Sequence, residues 1–467
     1  MSSAAGVPGT LWSSAAPPDP AMVEFTAGED RELDRRLLVW DVIGSLGHVE
    51  GLAAGGLLAP ADRASLRAAL LEVLAAVEAG SLTLGPAHED VHTAVEEWLT
   101  ARSPAVGPRI HAGRSRNDQV VCDLRLWLKD RLLAVHASSA GLAGTLLDWA
   151  ERHADALWPG YTHQRRAMVS SAGLWAGALA EGILDTLESL PSLWARVDRS
   201  PLGSAAGYGV PLPLDRAAAA RALGFGAVEH NVAAVQNGRG KLEAAVLWWL
   251  VELGHDLSRL ASDVVLWSAD EYGFLVLPPD LATGSSIMPQ KRNPDLFELI
   301  RARAAALDGD LATALSIRAR LTSGYHRDLQ LLKEPLMRGV VRAGGTIEMA
   351  ARAMSRLAVD RGRARAALAG DALATDEVMG RVQAGAPFRT AYREVAEALA
   401  AGAELPAPAD GEILARRRTP GGVGELDLGH PRARLDACRA WAGAQERGFR
   451  SALATLVGDA AEPEDRP

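Results

Sequence analysis

The chain has 467 residues, of which 48% are hydrophobic and 5% aromatic, and its formal net charge is −9. A chain of this length is too long to fold around one compact core, so we expect two to four domains. The acidic balance argues against a nucleic-acid-binding protein, because phosphate binding favours a basic surface.

The two cysteines, Cys122 and Cys438, have no partners at metal-ligand spacing. Such sparse use of cysteine fits a reducing compartment better than a disulfide scaffold. No basic residue precedes Arg31, and the longest strongly apolar run, residues 244–251, is far shorter than the roughly 20 residues of a membrane span. We therefore expect a cytoplasmic protein that makes no membrane contact.

The chain begins with a stretch rich in Ser, Ala and Pro, residues 1–21, which we interpret as a loose tail. Short amphipathic helices are predicted between residues 30 and 100. Long helices are predicted at 118–153, 242–267, 296–322 and 333–358. Apolar residues from Leu242 to Trp267 recur every three or four positions, which gives one stripe along a helix of about 40 Å.

Helices of that length bury their stripe in bundles or between subunits, so the predicted fold class is all-α. Residues 401–411 and 419–431 are rich in glycine and proline and end the helices of the C-terminal part. We place domain boundaries near residues 115 and 365. The predicted domains are an N-terminal helical domain with the loose tail (1–115), a central long-helix bundle (116–365) and a small C-terminal helical domain (366–467).

The most informative segment is residues 284–295, which read GSSIMPQKRNPD. Ser285 and Ser286 offer hydroxyls beside a glycine, while Lys291 and Asn293 offer an ammonium and a carboxamide. Removing a proton next to a carboxylate creates a second negative charge, so the reaction needs a proton acceptor and donors aimed at that charge. A surface loop rich in Gly, Ser and Pro is the alternative, but the full string is too specific for it.

This string resembles the signature of the fumarase/aspartase superfamily, whose members cleave C–N or C–O bonds and release fumarate. Four other segments are similar to the argininosuccinate lyase family within it: residues 111–120 (HAGRSRNDQV), 160–163 (GYTH), 200–204 (SPLGS) and 325–335 (YHRDLQLLKEP). The resemblance implies an all-α fold of three domains, whose central domains form a tetrameric helical core. It also implies active sites assembled from segments of three subunits.

The resemblance further implies the anti β-elimination of argininosuccinate to arginine and fumarate. Ser285 then removes the Cβ proton, Lys291 and Asn293 stabilise the carbanion, and His163, paired with Glu298, protonates the leaving nitrogen. No cofactor or metal is expected, because the substrate carboxylate serves as the electron sink. From the residues alone, His163 could instead be a structural histidine in a turn over residues 159–163, and Glu298 a solvated first-turn glutamate.

Other residues are implied to bind the small-molecule substrate. Ser115, Arg116 and Asn117 would hold the fumarate half, with a polar helix start as the alternative. Tyr325, Gln330 and Lys333 would hold the amino-acid part of the arginine half, with a solvated helix face as the alternative. The remaining residues implied to bind substrate are His92, Thr162 and Arg239.

The chain departs from the family pattern where the amine half of the substrate might be recognised. Residues 164–169 (QRRAMV) and 236–241 (QNGRGK) replace the customary residues, and an arginine replaces a glutamine at position 165. Residues 26–29 (TAGE) replace Asn-Ala-Ser-Ile, with a spacing two residues longer. Two alternatives therefore stay open: a lyase of the same superfamily acting on another N-substituted aspartate, and a relative that keeps the fold without turnover.

Residues 88–92 read HEDVH and satisfy the H-E-x-x-H pattern, in which two histidines on one helical face bind zinc. Here the pattern follows Gly85 and Pro86, at a predicted helix start. No third ligand stands in the usual downstream contexts. We therefore expect no metal site.

Overall fold

The computed structural model describes residues 19–85, 88, 90–368, 370–405 and 408–458, so the predicted tail lies outside the described residues as far as residue 18. The N-terminal part is helical, and Pro60 stands in the first turn of its longest helix, where an N–H is not needed. Its helices are α1 (Pro20–Ala27), α2 (Asp30–Asp34), α3 (Leu38–Ala54), α4 (Pro60–Glu78) and α5 (Val91–Arg102), followed by a 3₁₀ helix at Gly107–His111.

The central part contains the longest helix, α6, and the four long helices predicted from the sequence are confirmed there as α6, α10, α11 and α12. Its elements are α6 (Arg116–Arg152), β1 (Leu157–Thr162), β2 (Arg165–Ser171), α7 (Ala172–Val197), β3 (Arg199–Ser200), α8 (Arg216–Ala222), β4 (Ala227–Val228), α9 (Val232–Asn237), α10 (Lys241–Trp267), β5 (Leu275–Val276), β6 (Thr283–Gly284), β7 (Arg292–Asn293), α11 (Asp295–Arg318) and α12 (Lys333–Met354), with 3₁₀ helices at Pro279–Leu281 and Arg327–Leu332.

The C-terminal part continues the helical pattern. Its elements are β8 (Ala358–Val359), α13 (Arg361–Ala366), a 3₁₀ helix at Gly370–Leu373, α14 (Ala374–Gln383), α15 (Phe388–Ala400), α16 (Asp410–Arg416) and α17 (Gly429–Val457). The strands pair two by two, as β1–β2, β3–β4, β5–β8 and β6–β7. The predicted all-α class is therefore confirmed. No helix within the described ranges is long and apolar enough to cross a membrane.

Two large hydrophobic cores hold most of these helices together, and two smaller clusters involve the C-terminal part. The larger core lies among α6, α7, α10, α11 and α12, and the second lies beneath α3, α4 and α5. The last helix, α17, contributes Leu435 and Cys438 to the first core and Phe449 and Leu456 to the second. The division into three domains stays a prediction. Through α17, the predicted C-terminal domain packs against both the central and the N-terminal domains.

The β1–β2 hairpin follows α6 and differs from the turn expected over residues 159–163. That stretch continues as strand β1 to Thr162, which pairs with Arg165 of β2. The chain reverses at His163 and Gln164, both of which have positive φ angles (54° and 57°). Two such residues make a tight turn whose twist matches that of the flanking strands. The turn therefore presents the His163 side chain at the tip of the hairpin.

Candidate active site

The predicted site residues fall at the two ends of one long bundle. Helix α6 contains 37 residues, so its two ends lie about 55 Å apart. We call the end where α6 begins the Asn117 end, and the end where α6 finishes and the β1–β2 hairpin follows the hairpin end.

The start of α6 is fixed by an internal carboxylate. The Ser115 hydroxyl accepts a hydrogen bond from the Asn117 N–H (3.3 Å), and Asp118 accepts one from the Ser115 N–H (2.9 Å). The second oxygen of Asp118 accepts hydrogen bonds from the N–H groups of Gly203 (3.0 Å) and Ala205 (2.8 Å). Burial raises the pKa of Asp118 to about 6, against these hydrogen bonds, which act to lower it. Asp118 thus joins two of the family-like segments, 111–120 and 200–204.

Arg116 and Asn117 are held by neighbouring elements. The Arg116 guanidinium lies 3.1 Å from the Asp90 carboxylate and donates to the Thr93 hydroxyl (2.9 Å) at the start of α5. The backbone carbonyl of Asn117 accepts a hydrogen bond from the Gln236 carboxamide (3.0 Å). The segment containing residues 236–241 therefore lies directly beside the start of α6.

Arg239 is buried at the same end. Its guanidinium donates to the Glu243 carboxylate (2.8 Å) and to the Leu329 carbonyl (3.0 Å). Glu243 also accepts the Gly240 N–H (2.7 Å), so the first turn of α10 supplies the acidic partner. The hydrogen bond to Leu329 links residues 236–241 to the stretch that contains Tyr325 and Gln330.

Lys333, the first residue of α12, is only 3% exposed. Its ammonium lies 2.7 Å from Asp34 and 2.9 Å from Asp30, both on α2. Burial acts to lower the pKa of Lys333, but the two carboxylates outweigh it and raise that pKa. The Gln330 carboxamide donates to the Thr26 carbonyl (3.3 Å). Two of the three residues predicted for the amino-acid part of the amine half, Gln330 and Lys333, therefore contact the N-terminal segment.

His92 is buried among carboxylates. Its Nδ1 donates to Asp41 (2.6 Å) and lies 3.8 Å from Asp123. Burial acts to lower the pKa of His92, but Asp41, Asp90 and Asp123 outweigh it and raise the pKa to about 9. The structure thus places His92 in an internal ion pair behind the start of α6, and its contact with substrate stays a prediction.

The geometry at His92 also bears on metal binding. Ligand atoms of Asp41, His92 and Asp123 lie within 4.8 Å of one another. A metal needs a neutral imidazole, however, whereas these carboxylates favour the protonated ring. In the H-E-x-x-H segment, Glu89 lies outside the described residues and His88 precedes α5, which begins at Val91. The two histidines therefore do not share one helical face.

The hairpin end carries Thr162 and His163, both exposed. Aromatic rings support the hairpin from below: Trp158 stacks on Trp267 (5.7 Å between ring centroids), and Tyr161 packs on the same ring (5.1 Å). The strand residues are thereby fixed on the core, while the turn projects away from it.

The segment that contains Ser285 lies at the same end. Asp280 forms a two-point ion pair with Arg356 (2.6 and 2.8 Å), just beyond α12. The neighbouring Leu357 carbonyl accepts a hydrogen bond from the Trp149 indole in the last turns of α6 (2.8 Å). These contacts join residues 280–284 to the end of the bundle from which the hairpin projects.

Strands β6 and β7 close a loop over residues 285–291. Within it, the Ser285 hydroxyl accepts hydrogen bonds from the N–H groups of Ile287 (3.3 Å) and Met288 (3.1 Å). The Asn293 carboxamide lies at the base of the loop and donates to the Thr283 hydroxyl (3.4 Å). Lys291 is exposed. The loop thus provides the serine oxygen with two backbone donors, and the same loop carries the exposed Lys291.

Glu298 stands in the first turn of α11 and is exposed. The histidine ion pairs within the described part of the chain involve His88, His92, His111 and His255, not His163. The predicted pair of His163 with Glu298 is therefore not formed inside one subunit, although both residues lie at the hairpin end. It stays a prediction for contacts between chains.

The predicted residues thus form two groups. One chain brings the following together at the Asn117 end: His92, Ser115, Arg116, Asn117, Arg239, Tyr325, Gln330 and Lys333. It places the remaining ones at the hairpin end: Thr162, His163, Ser285, Lys291, Asn293 and Glu298. No single subunit can therefore assemble the complete set.

The sequence analysis missed the buried acids that organise the Asn117 end, namely Asp30, Asp34, Asp41 and Asp118. A signal existed for Asp41, because it lies on a helix whose neighbouring residues Leu38, Val42 and Ile43 are all apolar and buried. A carboxylate among such residues indicates a buried partner. For the other three acids, the sequence alone gives no comparable indication.

Comparisons with known proteins indicate the same family as the sequence segments described above. A family model described as lyase matches residues 16–309. An argininosuccinate lyase of Sorangium cellulosum (strain So ce56) is 44% identical over 429 residues, which are 91% of this chain and 98% of that protein. An argininosuccinate lyase of Thermotoga neapolitana is 40% identical over 387 residues, 83% of this chain and 97% of that protein.

Solved structures agree on the fold. A crystal structure of EDDS lyase in complex with formate has a TM-score of 0.76 at 24% identity and covers 95% of both chains. A class II fumarase from Schistosoma mansoni has a TM-score of 0.70 at 15% identity, covering 82% of this chain and 89% of that one. Identity this low shows the fold alone, whereas the sequence relatives show the family. The chain therefore belongs to the argininosuccinate lyase family within the fumarase/aspartase superfamily.

Proposed function

We propose that this protein is an argininosuccinate lyase, which splits argininosuccinate into arginine and fumarate by anti β-elimination. The observation that carries the proposal is the 44% identity to an argininosuccinate lyase over 91% of this chain. The site residues supply the chemical groups that such an elimination needs. Since the substrate carboxylate accepts the electron pair, the proposed reaction needs no metal or cofactor.

In the proposed mechanism, Ser285 removes the Cβ proton. A neutral hydroxyl is a weak base, so its charged form must be stabilised. The N–H groups of Ile287 and Met288, which already donate to this oxygen, favour the negative form. The Lys291 ammonium, which belongs to the same loop, would add to that effect.

Loss of the Cβ proton leaves an electron pair that is delocalised into the adjacent carboxylate. Lys291 and Asn293 would stabilise the resulting double negative charge, and one such donor is typically worth about 10²–10³-fold in rate. The electron pair then forms the C=C bond of fumarate as the Cα–N bond breaks. His163, oriented by Glu298 of another chain, would deliver a proton to the departing nitrogen.

The other end of a neighbouring subunit would bind the substrate. Ser115, Arg116 and Asn117 at the start of α6 would hold the fumarate half, together with Thr162 from the hairpin. Arg239, Tyr325, Gln330 and Lys333 would hold the amine half. His92 would support the start of α6 through its ion pair from behind.

This arrangement requires an oligomer, and we propose a homotetramer with active sites shared between chains. Helices α10, α11 and α12 leave large apolar side chains exposed, as expected for helices that pack against other subunits. They are Trp248, Leu266, Leu299, Leu315, Val341 and Met349. Ile287, in the Ser285 loop, is 83% exposed. Sedimentation would test the assembly, because a monomeric protein would contradict shared sites.

The cytoplasm is the proposed location. The only two cysteines, Cys122 and Cys438, are free and buried, which fits a protein that works in a reducing compartment.

The test of function is fumarate release, followed by ultraviolet absorbance, from argininosuccinate and from a panel of other N-succinyl amines. We expect argininosuccinate to give the highest kcat/KM. A higher value for another amine would move the function to a different lyase of the superfamily. Complete absence of fumarate from every substrate would indicate a relative that keeps the fold without turnover.

One observation favours the alternative substrate class. The hairpin that carries His163 also carries Arg165 and Arg166. Arg166 donates to the Ala367 carbonyl (3.1 Å), whereas Arg165 is exposed beside the turn. A cation at that position would favour an amine with a negative group. The panel should therefore include an N-succinyl amine that carries an additional carboxylate.

A further inference from the structure

The contact between Lys333 and the N-terminal segment concerns recognition of the amine half, and the inference from it depends on the proposed function. An ammonium has three N–H donors. Asp34 and Asp30 already occupy two donors of Lys333, at 2.7 and 2.9 Å. A substrate carboxylate would be a third anion around one buried cation, and an uncompensated buried charge is costly. Although a third N–H donor remains, charge balance therefore favours displacement or protonation of one aspartate when such a carboxylate binds.

The two aspartates are not equivalent. Asp34 is 2% exposed, and its second oxygen accepts the Val91 N–H (3.3 Å) at the start of α5. Asp30 is 9% exposed and is the first residue of α2, directly after the segment that is two residues longer than the family pattern. The fold therefore anchors Asp34 on two sides, whereas Asp30 contacts Lys333 from a position near the surface.

The same N-terminal segment covers a second predicted residue. The Thr26 carbonyl accepts hydrogen bonds from the Gln330 carboxamide (3.3 Å) and from Arg327 (3.1 Å). The donors of Gln330 and Lys333 thus face oxygen atoms supplied by residues 26–34. Oxygen atoms of the chain itself therefore already occupy donors that are predicted to bind the amino-acid part of the substrate.

We propose that Asp30 is a specificity-determining residue that occupies, on Lys333, the position of the carboxylate of the substrate's amine half. Asp30 therefore competes with every ligand that presents an amino-acid carboxylate to this site. Substrates bind when Asp30 is displaced or neutral, while Asp34 keeps the ammonium in place.

The charges around Asp30 set the pH range of this competition. Lys333 on α12, Asp34 on α2 and Arg327 in the 3₁₀ helix face Asp30. Burial is the largest influence, and it raises the pKa of Asp30 to about 6 against the opposing effect of Lys333. At pH 7.5 about 3% of such a carboxyl group is neutral, so strict competition would raise KM about thirtyfold. The same competition raises KM only about twofold at pH 6 and about 1.3-fold at pH 5.5.

The experiment compares the wild-type protein with Asp30→Asn and Asp30→Ala, using argininosuccinate as substrate between pH 5.5 and 8.5. At pH 7.5 we expect both variants to lower KM by up to about thirtyfold and to leave kcat within about twofold. At pH 5.5 the KM values of wild type and variants should converge. Inhibition by arginine should strengthen by the same factor as KM falls, whereas inhibition by fumarate should not change.

Glu32→Gln is the matched control, because Glu32 is an exposed acid on the same helix. It removes the same charge and should leave KM unaltered. An unchanged or higher KM in the Asp30 variants, or an equal decrease of KM in Glu32→Gln, would overturn the proposed role of Asp30. Neither result would contradict the proposed function. Absence of fumarate release by the wild-type protein would instead overturn the proposed function.

Discussion

The predicted site residues have different surroundings at the two ends of the bundle. At the Asn117 end, Arg116, Arg239, Lys333 and His92 are all held in ion pairs within one chain. At the hairpin end, His163, Lys291 and Glu298 are exposed in the single chain. We expect other subunits to supply their partners. The residues proposed to bind the substrate are thus positioned by folding of one chain, whereas the residues proposed for proton transfer depend on association between chains. Stability and catalysis should therefore respond to substitutions at different ends.

The largest effect should come from Ser285→Ala. Removing the proposed base should lower kcat by at least about a thousandfold, while the sedimentation behaviour stays that of the wild type. Ser286→Ala is the matched control, since its hydroxyl lies one residue away and has no assigned role. Substantial turnover by Ser285→Ala, or an equal loss in both variants, would remove Ser285 from the mechanism.

A comparison of two lysines separates the ends directly. Lys333→Met leaves two buried carboxylates without a cation and should lower the free energy of unfolding by about 3–5 kcal/mol. Lys291→Met removes an exposed charge, so stability should change by less than about 0.5 kcal/mol. Its kcat should nevertheless fall by about 10²–10³-fold.

Denaturant titrations at one fixed protein concentration would measure both lysine variants, because assembly contributes to apparent stability. Similar losses of stability in the two variants would contradict the contrast between the ends.

The ion pair of His92 predicts a pH dependence of stability. The fold raises the pKa of His92 from 6.5 to about 9, so the protonated ring stabilises the folded state. That contribution is complete below pH 6.5 and is lost as the pH rises through 9, with a size on the order of 3 kcal/mol. The difference in unfolding free energy between wild type and His92→Gln should therefore shrink over this range.

His255→Gln, at an exposed histidine, is the control for that measurement. Its difference from the wild type should stay small throughout. A constant difference for His92→Gln between pH 6.5 and 9 would show that the imidazole is not held in its charged form.

Hybrid assemblies test whether active sites combine the two ends of different chains. Asn117→Ala and His163→Gln should each be inactive alone. After joint unfolding and refolding in equal amounts, about a quarter of the sites should receive both intact ends, with activity in proportion. A mixture of Asn117→Ala with Ser115→Ala should stay inactive, because every chain then carries a defect at the same end. Equal recovery in both mixtures would argue against shared sites.

The spacing of apolar residues predicted the positions of the long helices. It did not predict which elements pack against each other. The stripe over residues 242–267 gave α10 to within one residue of its observed start at Lys241, because one buried face dictates the spacing of apolar residues. The contact of α17 with both cores was not predictable, since its residues are distant in sequence from those they touch. Helical propensity likewise gave no indication of the β1–β2 hairpin.

The candidate site divides in the same way. The sequence motifs and the family resemblance predicted Ser285, Lys291 and His163, because the proposed reaction needs a base, a cation and an acid. It did not identify Asp30 or Asp34 as partners of Lys333, because an ion pair between residues about 300 positions apart depends on how α2 packs against α12. The resemblance to the family suggested a role for each residue. Only the structure shows which side chains lie beside it.

The positive φ angles of His163 and Gln164 have a consequence for engineering. An L-residue with a Cβ in the left-handed conformation costs roughly 1–2 kcal/mol, which Asn or Gly would largely avoid. A screen for thermostability alone would therefore favour replacing the imidazole at the tip of the turn. Heat-resistant variants selected in this way should accumulate substitutions at His163 and lose turnover, whereas Gln164→Gly offers the same conformational relief one residue later and keeps the histidine.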